Sequence, residues 1–319
     1  MTENKYILSI DTSNYTTSVA IMSTDGRLVA NLKKPLSVKL GERGLRQSDA
    51  VFAHTVNIPE LMLKAREILS DGEIVAVGVS EKPRNVIGSY MPCFLLGVAC
   101  AQSIAATVGV PLYRFSHQCG HIMAALYSSG RTELLNSEFA AFHISGGTTE
   151  LVRVAPSNNG FDTELLGGTA DLNAGQIIDR IGVYMGLAFP AGAELERLAL
   201  ENNKKIPKRH ISITDMSVNL SGLENMAVKL YSETGDASLT AAFVFDFLGR
   251  SIIAMSTAYE ERFGKASFVY AGGVMCNSII KKMLSERFDA CFAEPSMSAD
   301  NAVGISALAL GKYKSENRI

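Results

Sequence analysis

The chain has 319 residues, 47% of them hydrophobic and 19% charged, with 27 Gly and 9 Pro. That composition excludes disorder, collagen-like repeats and coiled coil; at about 100–200 residues per domain it predicts two domains with substantial cores. With 30 basic and 32 acidic residues the formal net charge is −2, so no global basic field draws in nucleic acid and any RNA contact must come from a local patch.

The five cysteines, Cys93, Cys100, Cys119, Cys276 and Cys291, are scattered and form no C-x-x-C pair. This argues against a disulfide scaffold or zinc ribbon and for a reducing compartment. The start, Met1-Thr2-Glu3-Asn4-Lys5, runs into an apolar strand without a signal-peptide pattern, so a cytoplasmic location is expected.

In chain order, residues 6–12 predict a buried strand ending at an acidic residue. A turn rich in Ser, Thr and Asn follows, then a second strand at 19–22. Residues 74–79 predict another strand. Val86 to Tyr113 contains no charged residue and is long enough to span a bilayer. Pro92, Gln102, Ser103, Thr107 and many Ala and Gly keep its transfer energy mediocre. It predicts a buried helix from Cys93 to Val108 followed by a strand, with no membrane span. The second half opens with an apolar strand at 139–145, a Gly-Gly-Thr-Thr turn and a strand at 151–154. Residues 267–271 predict a strand running into Gly272-Gly273, with a helix from Asn277. The last helix, Asp300 to Lys312, is small, apolar and expected to be buried.

This alternation predicts an α/β fold. With a boundary near Ser128-Ser129-Gly130-Arg131-Thr132, residues 1–130 form an N-terminal lobe and 131–319 a C-terminal lobe, the last helix packing back towards the first lobe. A strand–turn–strand at the head of each half resembles the actin-like (ASKHA) ATPase architecture, in which two similar lobes clasp a nucleotide.

Five segments could carry chemistry. Ser145-Gly146-Gly147-Thr148-Thr149 is either a plain hairpin turn or an anion cradle of backbone N–H groups and hydroxyls, and Asp11-Thr12-Ser13-Asn14 forms a second such turn. His117-Gln118-Cys119-Gly120-His121 places two imidazoles at i and i+4 behind a Ser116 cap, either as surface histidines or as ligands to one metal ion. Cys119 faces away from that pair, and two imidazoles need a carboxylate from elsewhere. Asp171 to Asp179, followed by Pro190-Ala191-Gly192, offers helix caps or carboxylates for ribose hydroxyls. Gly272, Gly273 and Asn277 form a strand–turn–helix that is either a cap or a platform for a base. Asp300 opens the last helix as an N-cap or as a ligand.

Taken in order, these segments resemble the tRNA threonylcarbamoyladenosine transferase family (TsaD, formerly called O-sialoglycoprotein endopeptidases). Residues 7–13, I-L-S-I-D-T-S, are similar to that family's I-L-G-I-E-T-S, and His54-Thr55-Val56-Asn57-Ile58-Pro59 to its H-x-x-N-I-P. Residues 115–121 resemble the V-N-H-x-x-G-H metal motif, Ser145-Gly146-Gly147-Thr148 the S-G-G-H-T turn, Ser221-Gly222-Leu223 the F-S-G-L segment and Asp300-Asn301 the D-N pair. The resemblance implies one Fe or Zn ion on His117, His121 and Asp300. It also implies ATP or an acyl-adenylate on Asp11, Ser145, Gly146, Gly147, Asp179, Gly192, Glu196, Gly272, Gly273 and Asn277. The activity implied is transfer of a threonylcarbamoyl group to N6 of adenosine 37 in tRNA. A TsaB-like or TsaE-like subunit, or self-association, is the implied partnership.

Three positions depart from the pattern. The family's acidic pair after E-T-S-C is here Tyr15-Thr16, its R-G-P-G loop is Glu81-Lys82-Pro83-Arg84, and its S-G-G-H-T histidine is Thr148. Neither Tyr15 nor Thr16 is an anionic base at neutral pH. Two readings follow: a metal- and ATP-dependent carbamoyl-type transferase, divergent from the housekeeping enzyme and acting on tRNA or another acceptor, or a non-catalytic nucleotide-binding scaffold. The metal motif favours the first and Tyr15-Thr16 the second. An endopeptidase has neither a nucleophile motif nor H-E-x-x-H behind it.

Overall fold

The computed structural model describes residues 4–13, 15–37, 45–157 and 160–318. The chain starts with strands β1 (Lys5–Asp11), β2 (Thr16–Ser23) and β3 (Leu28–Pro35), then helix α1 (Gln47–Leu69). Next come β4 (Glu73–Lys82), α2 (Cys93–Val108), β5 (Leu112–Ser116) and α3 (His117–Ser129). Strands β6 (Phe139–Ile144), β7 (Thr149–Ser157) and β8 (Gly160–Gly168) precede helices α4 (Ala174–Tyr184) and α5 (Gly192–Leu200). A two-residue hairpin, β9 (Ile213–Thr214) and β10 (Ser217–Val218), leads to α6 (Ser221–Thr234) and α7 (Ala237–Phe263). The chain ends through β11 (Ser267–Ala271), α8 (Ser278–Ser285), β12 (Asp289–Phe292), α9 (Pro295–Ser298) and α10 (Val303–Asn317).

Two compact units result. The first holds Met1–Thr132, Pro156–Asp162 and Ser296–Ile319; the second holds Glu133–Ala155 and Thr163–Pro295. In the first, the sheet order is β3-β2-β1-β4-β5. β1 pairs antiparallel with β2 (Ile10 opposite Val19) and parallel with β4 (Ile10 opposite Val79), and β4 pairs parallel with β5. Strand β1 is buried from Tyr6 to Asp11, with Ile7, Leu8 and Ile10 at its centre, because as a central strand it has both faces covered. Leu8, Ile10, Val19, Ile21, Val77 and Val79 pack with Ile58, Leu61 and Ala65 of α1 and Ala101 and Ala105 of α2.

The second unit repeats the plan, with sheet order β12-β11-β6-β7-β8. β6 runs antiparallel to β7 (Phe139 opposite Val154) and parallel to β11, which runs parallel to β12. Phe142, Phe268 and Tyr270 meet Ile178 of α4, Leu195 of α5 and Phe243 and Phe247 of α7 in its core. Among the described residues α7 is the one helix long and apolar enough to cross a membrane, and 72% of its most apolar window is buried within the fold. The one helix of the charge-free stretch from Val86 is the 16-residue α2.

Two helix starts differ from expectation. The last helix begins at Val303 rather than Asp300. Asn301 accepts the Val303 N–H at 2.9 Å and donates to the Met297 and Ala299 carbonyls, so a side-chain turn leads into the helix and Asp300 stays outside it. Asp171 does not cap α4. Asn173 and Gln176 do so through a reciprocal capping box, while Asp171 accepts the Leu220 and Ser221 N–H groups at 2.8 and 2.9 Å, where α6 begins.

Candidate functional site

In the first unit β1, β4 and β5 run parallel, so their carboxyl ends share one edge of the sheet, which is where α/β folds place ligands. Asp11 ends β1, and His117 begins α3 directly after β5. Ser116 accepts the Cys119 N–H and fixes the first turn of α3, which turns His117 and His121 to the same face. Their Nε2 atoms lie 3.0 Å apart, and Asp300 Oδ1 is 3.5 Å from the first and 3.4 Å from the second. A tetrahedral ion with bonds of about 2.0–2.1 Å needs donors about 3.3–3.4 Å apart, so the three atoms outline one face of such a site. The donor set fits a divalent ion of the zinc or iron type.

Asp11 completes the arrangement. Its Oδ2 lies 2.9 Å from His117 Nδ1, and its Oδ1 accepts the Ser13 N–H at 2.7 Å. A carboxylate on Nδ1 holds the proton there and leaves Nε2 as the lone-pair donor, as histidine ligands require. Burial opposes charge on the His117 imidazole, but Asp11 beside it and Asp300 raise its affinity for a proton. Burial together with the neighbouring His117 lowers that of His121. Burial likewise works against an ionised Asp300, yet the two imidazoles hold it well below the usual carboxylate range. The site therefore carries one buried carboxylate, Asp11, and one partly buried carboxylate, Asp300, facing two imidazoles, and a bound cation would displace the proton.

The surrounding contacts hold this geometry. Gly304 of α10 lies so close to α3 that a Cβ there would sit 1.8 Å from the Gly120 carbonyl oxygen. A Cβ on Gly120 would meet Ile305 at 2.9 Å. This glycine-on-glycine contact draws the stretch carrying Asp300 onto the helix carrying the imidazoles. Thr12 Oγ1 donates to the Cys93 carbonyl and accepts the Gly97 N–H, tying the turn after β1 to α2. Tyr15, 38% exposed, donates its backbone N–H to Asp300 Oδ2 at 3.2 Å, which places positions 15 and 16 beside the candidate ligands. Thr17 bonds both His54 Nδ1 (2.8 Å) and Asn57 Nδ2 (3.1 Å), so the H-x-x-N motif pins the start of β2. Cys119 is buried and turned away from the imidazoles; burial pushes its thiol up to about 11, and no disulfide joins any of the five cysteines.

The other expected binding residues lie in the second unit, in two hydrogen-bonded groups. In the first, the Ser145 N–H closes its turn on the Thr148 carbonyl at 2.8 Å. The Ser145 carbonyl accepts the Gly175 N–H, and Thr149 Oγ1 accepts the Ala174 N–H, so the turn rests on the N-terminus of α4. A Cβ on Gly175 would come within 2.7 Å of Gly146 Cα, whereas Gly146 and Gly147 face open space. Dipole, glycines and hydroxyls together suit an anion. In the second group Asp179 accepts the Ala191 N–H at 2.8 Å, just before Gly192 opens α5; burial raises its proton affinity against that bond. Glu196, one turn on, accepts both the N–H and the hydroxyl of Ser278. Asn277 caps α8 through Ile280, and its buried Nδ2 has no partner among the described residues. Gly272, at φ +96°, approaches the Ile144 carbonyl so closely that a Cβ would sit 2.3 Å from it.

Sequence reasoning placed Asp11 with the nucleotide residues and missed its contact with His117. The usable signal was topological: both residues stand at the carboxyl ends of strands in one parallel set. The Gly120–Gly304 contact had no sequence signal beyond the glycine inside the histidine motif.

HypF of T. kodakarensis superposes with a TM-score of 0.65 at 14% identity over 98% of this chain and 48% of that one, so the chain spans about half the length of HypF. The (R)-2-hydroxyglutaryl-CoA dehydratase component A of Acidaminococcus fermentans gives 0.55 at 15% identity over 96% and 98%. These likenesses define an actin-like α/β fold of the ASKHA type. A model of the tRNA N6-adenosine threonylcarbamoyltransferase (TsaD) family matches residues 41–307, and the chain belongs to that family. The tRNA N6-adenosine threonylcarbamoyltransferase of Streptococcus suis (strain 05ZYH33) is 29% identical over 337 residues, covering 99% of this chain and 95% of the relative. The one from Streptococcus thermophilus (strain CNRZ 1066) is 29% identical over 321 residues, covering 96% and 91%.

Proposed function

We propose that the chain is a divergent TsaD paralogue that binds one divalent ion, Fe or Zn, and ATP or an acyl-adenylate, and acts as a carbamoyl-type transferase with tRNA as acceptor. The observation that carries this reading is the His117–His121–Asp300 donor set with Asp11 behind His117. A scaffold has no use for a ligand set supported in this way. When bound, the ion supplies positive charge for a phosphate or carbamoyl oxygen. The Ser145–Thr148 turn and the N-terminus of α4 bind phosphate, Asp179 and Glu196 suit ribose hydroxyls, and Asn277 Nδ2 offers a donor to the nucleotide. Transfer to N6 forms a C–N bond, breaks the C–O bond to the nucleotide phosphate and releases one proton. Tyr15 and Thr16 provide no anionic group to receive it.

A second reading, a nucleotide-binding scaffold or a transferase with another acceptor, draws on one specific observation. The tyrosine at position 15 stands directly against Asp300, where the family carries an acid. Calorimetry with ATP, metal analysis of anaerobically purified and reconstituted protein, and a tRNA transfer assay with and without TsaB-like and TsaE-like subunits decide between them. Metal and ATP binding with weak transfer supports the first reading, and ATP binding without metal or transfer supports the nucleotide-binding scaffold. The five thiols and the family's work on tRNA suit a cytoplasmic protein.

A further inference from the structure

We propose that residues Lys205, Lys208 and Arg209 form a docking ledge for the phosphate backbone of RNA on the second unit. The inference rests on the reading of tRNA as acceptor and adds where that acceptor is gripped. Between Glu201 and Asp215 the sequence holds Lys204, Lys205, Lys208, Arg209 and His210 and no acidic residue. In a chain of net charge −2 this is the kind of local patch that a polyanion requires.

The structure makes the segment a fixed ledge. Ile206 and Ile211 turn inward and pack on the core of the second unit, and Pro207 is half-buried between them. Asn202 binds both the carbonyl and the N–H of Lys204, and the Lys204 ammonium meets Asp236 at 2.5 Å. The Arg209 carbonyl accepts from Arg250 Nη1 at 2.8 Å. The backbone is thus held at both ends, while the Lys205, Lys208, Arg209 and His210 side chains are exposed. Among the described residues Lys205, Lys208 and Arg209 form no ion pair, unlike Lys204 and the neighbouring Arg250. At no more than about 3.3–3.6 Å per residue the run from Lys205 to His210 extends up to about 18 Å, a length that follows several nucleotides.

The chemistry favours RNA over a lipid surface. No exposed apolar side chain stands among the cations to enter a bilayer, because the two isoleucines face the core. No Phe, Tyr or Trp stands in the segment, so the ledge is suited to gripping phosphate rather than to stacking bases.

The test is fluorescence anisotropy of labelled unfractionated tRNA with the full chain across a range of KCl concentrations. Two triple variants are compared: Lys205→Gln/Lys208→Gln/Arg209→Gln, and a control with the exposed Lys64, Lys229 and Lys265 changed to Gln. Each lost phosphate contact lowers the slope of log K against log salt by about 0.7–0.9, so the ledge variant should lose about 2 from the slope. Its affinity should fall about tenfold or more at ~0.1 M salt, with the control near wild type. Unchanged unfolding midpoints and ATP binding show that the ledge variant is folded. An unchanged slope, or an equal loss in the control, overturns the ledge and leaves the proposed function standing. A wild-type chain that binds no tRNA at ~50 mM salt overturns the ledge and the tRNA acceptor together. Binding of phosphatidylserine vesicles through these residues, with tRNA indifferent to them, assigns the surface to a membrane and overturns the proposal.

Discussion

The two units are built on one plan. In each, an antiparallel hairpin stands beside two parallel strands, in the orders β3-β2-β1-β4-β5 and β12-β11-β6-β7-β8. Yet the turn after the first strand carries opposite chemistry. In the first unit it follows a buried carboxylate, Asp11, and side chains converge with His117, His121 and Asp300 on one point. In the second it is Ser145-Gly146-Gly147-Thr148, where Gly146 and Gly147 face open space and the turn rests on the start of α4. Close glycine contacts support both sites: Gly120 against Gly304 between α3 and α10 in the first unit, and Gly175 at the start of α4 and Gly272 after β11 in the second. A single topology offers the carboxyl edge of its sheet twice, and the side chains placed there decide between a cation site and an anion cradle.

The sharpest way to break this contrast is to remove the side chains of the first unit. His117→Ala or His121→Ala should abolish stoichiometric metal, measured by elemental analysis after anaerobic purification and reconstitution. Asp11→Asn, which keeps the ligands but alters their support, should weaken metal binding about 10–100-fold. Hydrogen exchange should show metal protecting α3 and leaving α7 unchanged. Full metal in His117→Ala, or equal protection of both helices, would end the division of roles.

Next in size is turnover. Without an acidic group at positions 15 and 16, transfer to tRNA should run about 100–1,000-fold below that of a relative carrying the acidic pair. Tyr15→Asp combined with Thr16→Glu should recover part of it, read in the transfer assay with ATP binding unchanged. Wild-type transfer at the relative's rate would show that the chemistry of the first unit does not depend on that pair.

How far the sequence anticipated this arrangement varied with the range of the interactions involved. The strand at β6, the helix from Cys93 to Val108 and the capped histidine pair follow from local periodicity and a Ser N-cap, and the structure has them within a few residues. Asp300 was ambiguous because an N-cap and a ligand call for the same residue at the same place; only the Asn301 turn, which starts the helix at Val303, separates the two. Asp171 serves a helix that begins 50 residues later, a partnership no local pattern encodes. Strand β3 was not foreseen, since its residues are half-buried and include Lys33 and Lys34, without the apolar run of β1.

A smaller effect separates the units through their glycines. Gly304→Ala forces α10 off α3 and should cost about 1–3 kcal/mol by overpacking, with weaker metal binding because Asp300 moves away from the imidazoles. Gly272→Ala meets both a positive φ and the Ile144 carbonyl, and should cost about as much while leaving metal content unchanged. Urea unfolding gives the stabilities and elemental analysis the metal. If Gly272→Ala also released the metal, the two glycines would not serve separate sites.

The smallest effect expected is the pH dependence that Asp236 contributes in the second unit. Asp236 caps α7, the longest helix of that core, by accepting the Leu239 N–H at 2.9 Å, and it also meets Ser238 and Lys204. The Leu239 hydrogen bond first, then Lys204 and Ser238, hold its carboxyl down to about 2 against an ordinary 3.8. A carboxyl whose folded value lies below its unfolded value stabilises fully above the unfolded value. That contribution is lost as pH falls through the folded one, here between about 4 and 2. Asp236→Asn keeps an acceptor for the cap but removes the charge at the positive end of the helix. It should cost about 0.3–1 kcal/mol at pH 7, and the gap from wild type should close as pH drops below 4. Urea unfolding at pH 7, 5, 4 and 3 follows that gap, and hydrogen exchange in α7 locates it. A gap that stays constant across this range would mean that Asp236 acts through shape and not through charge.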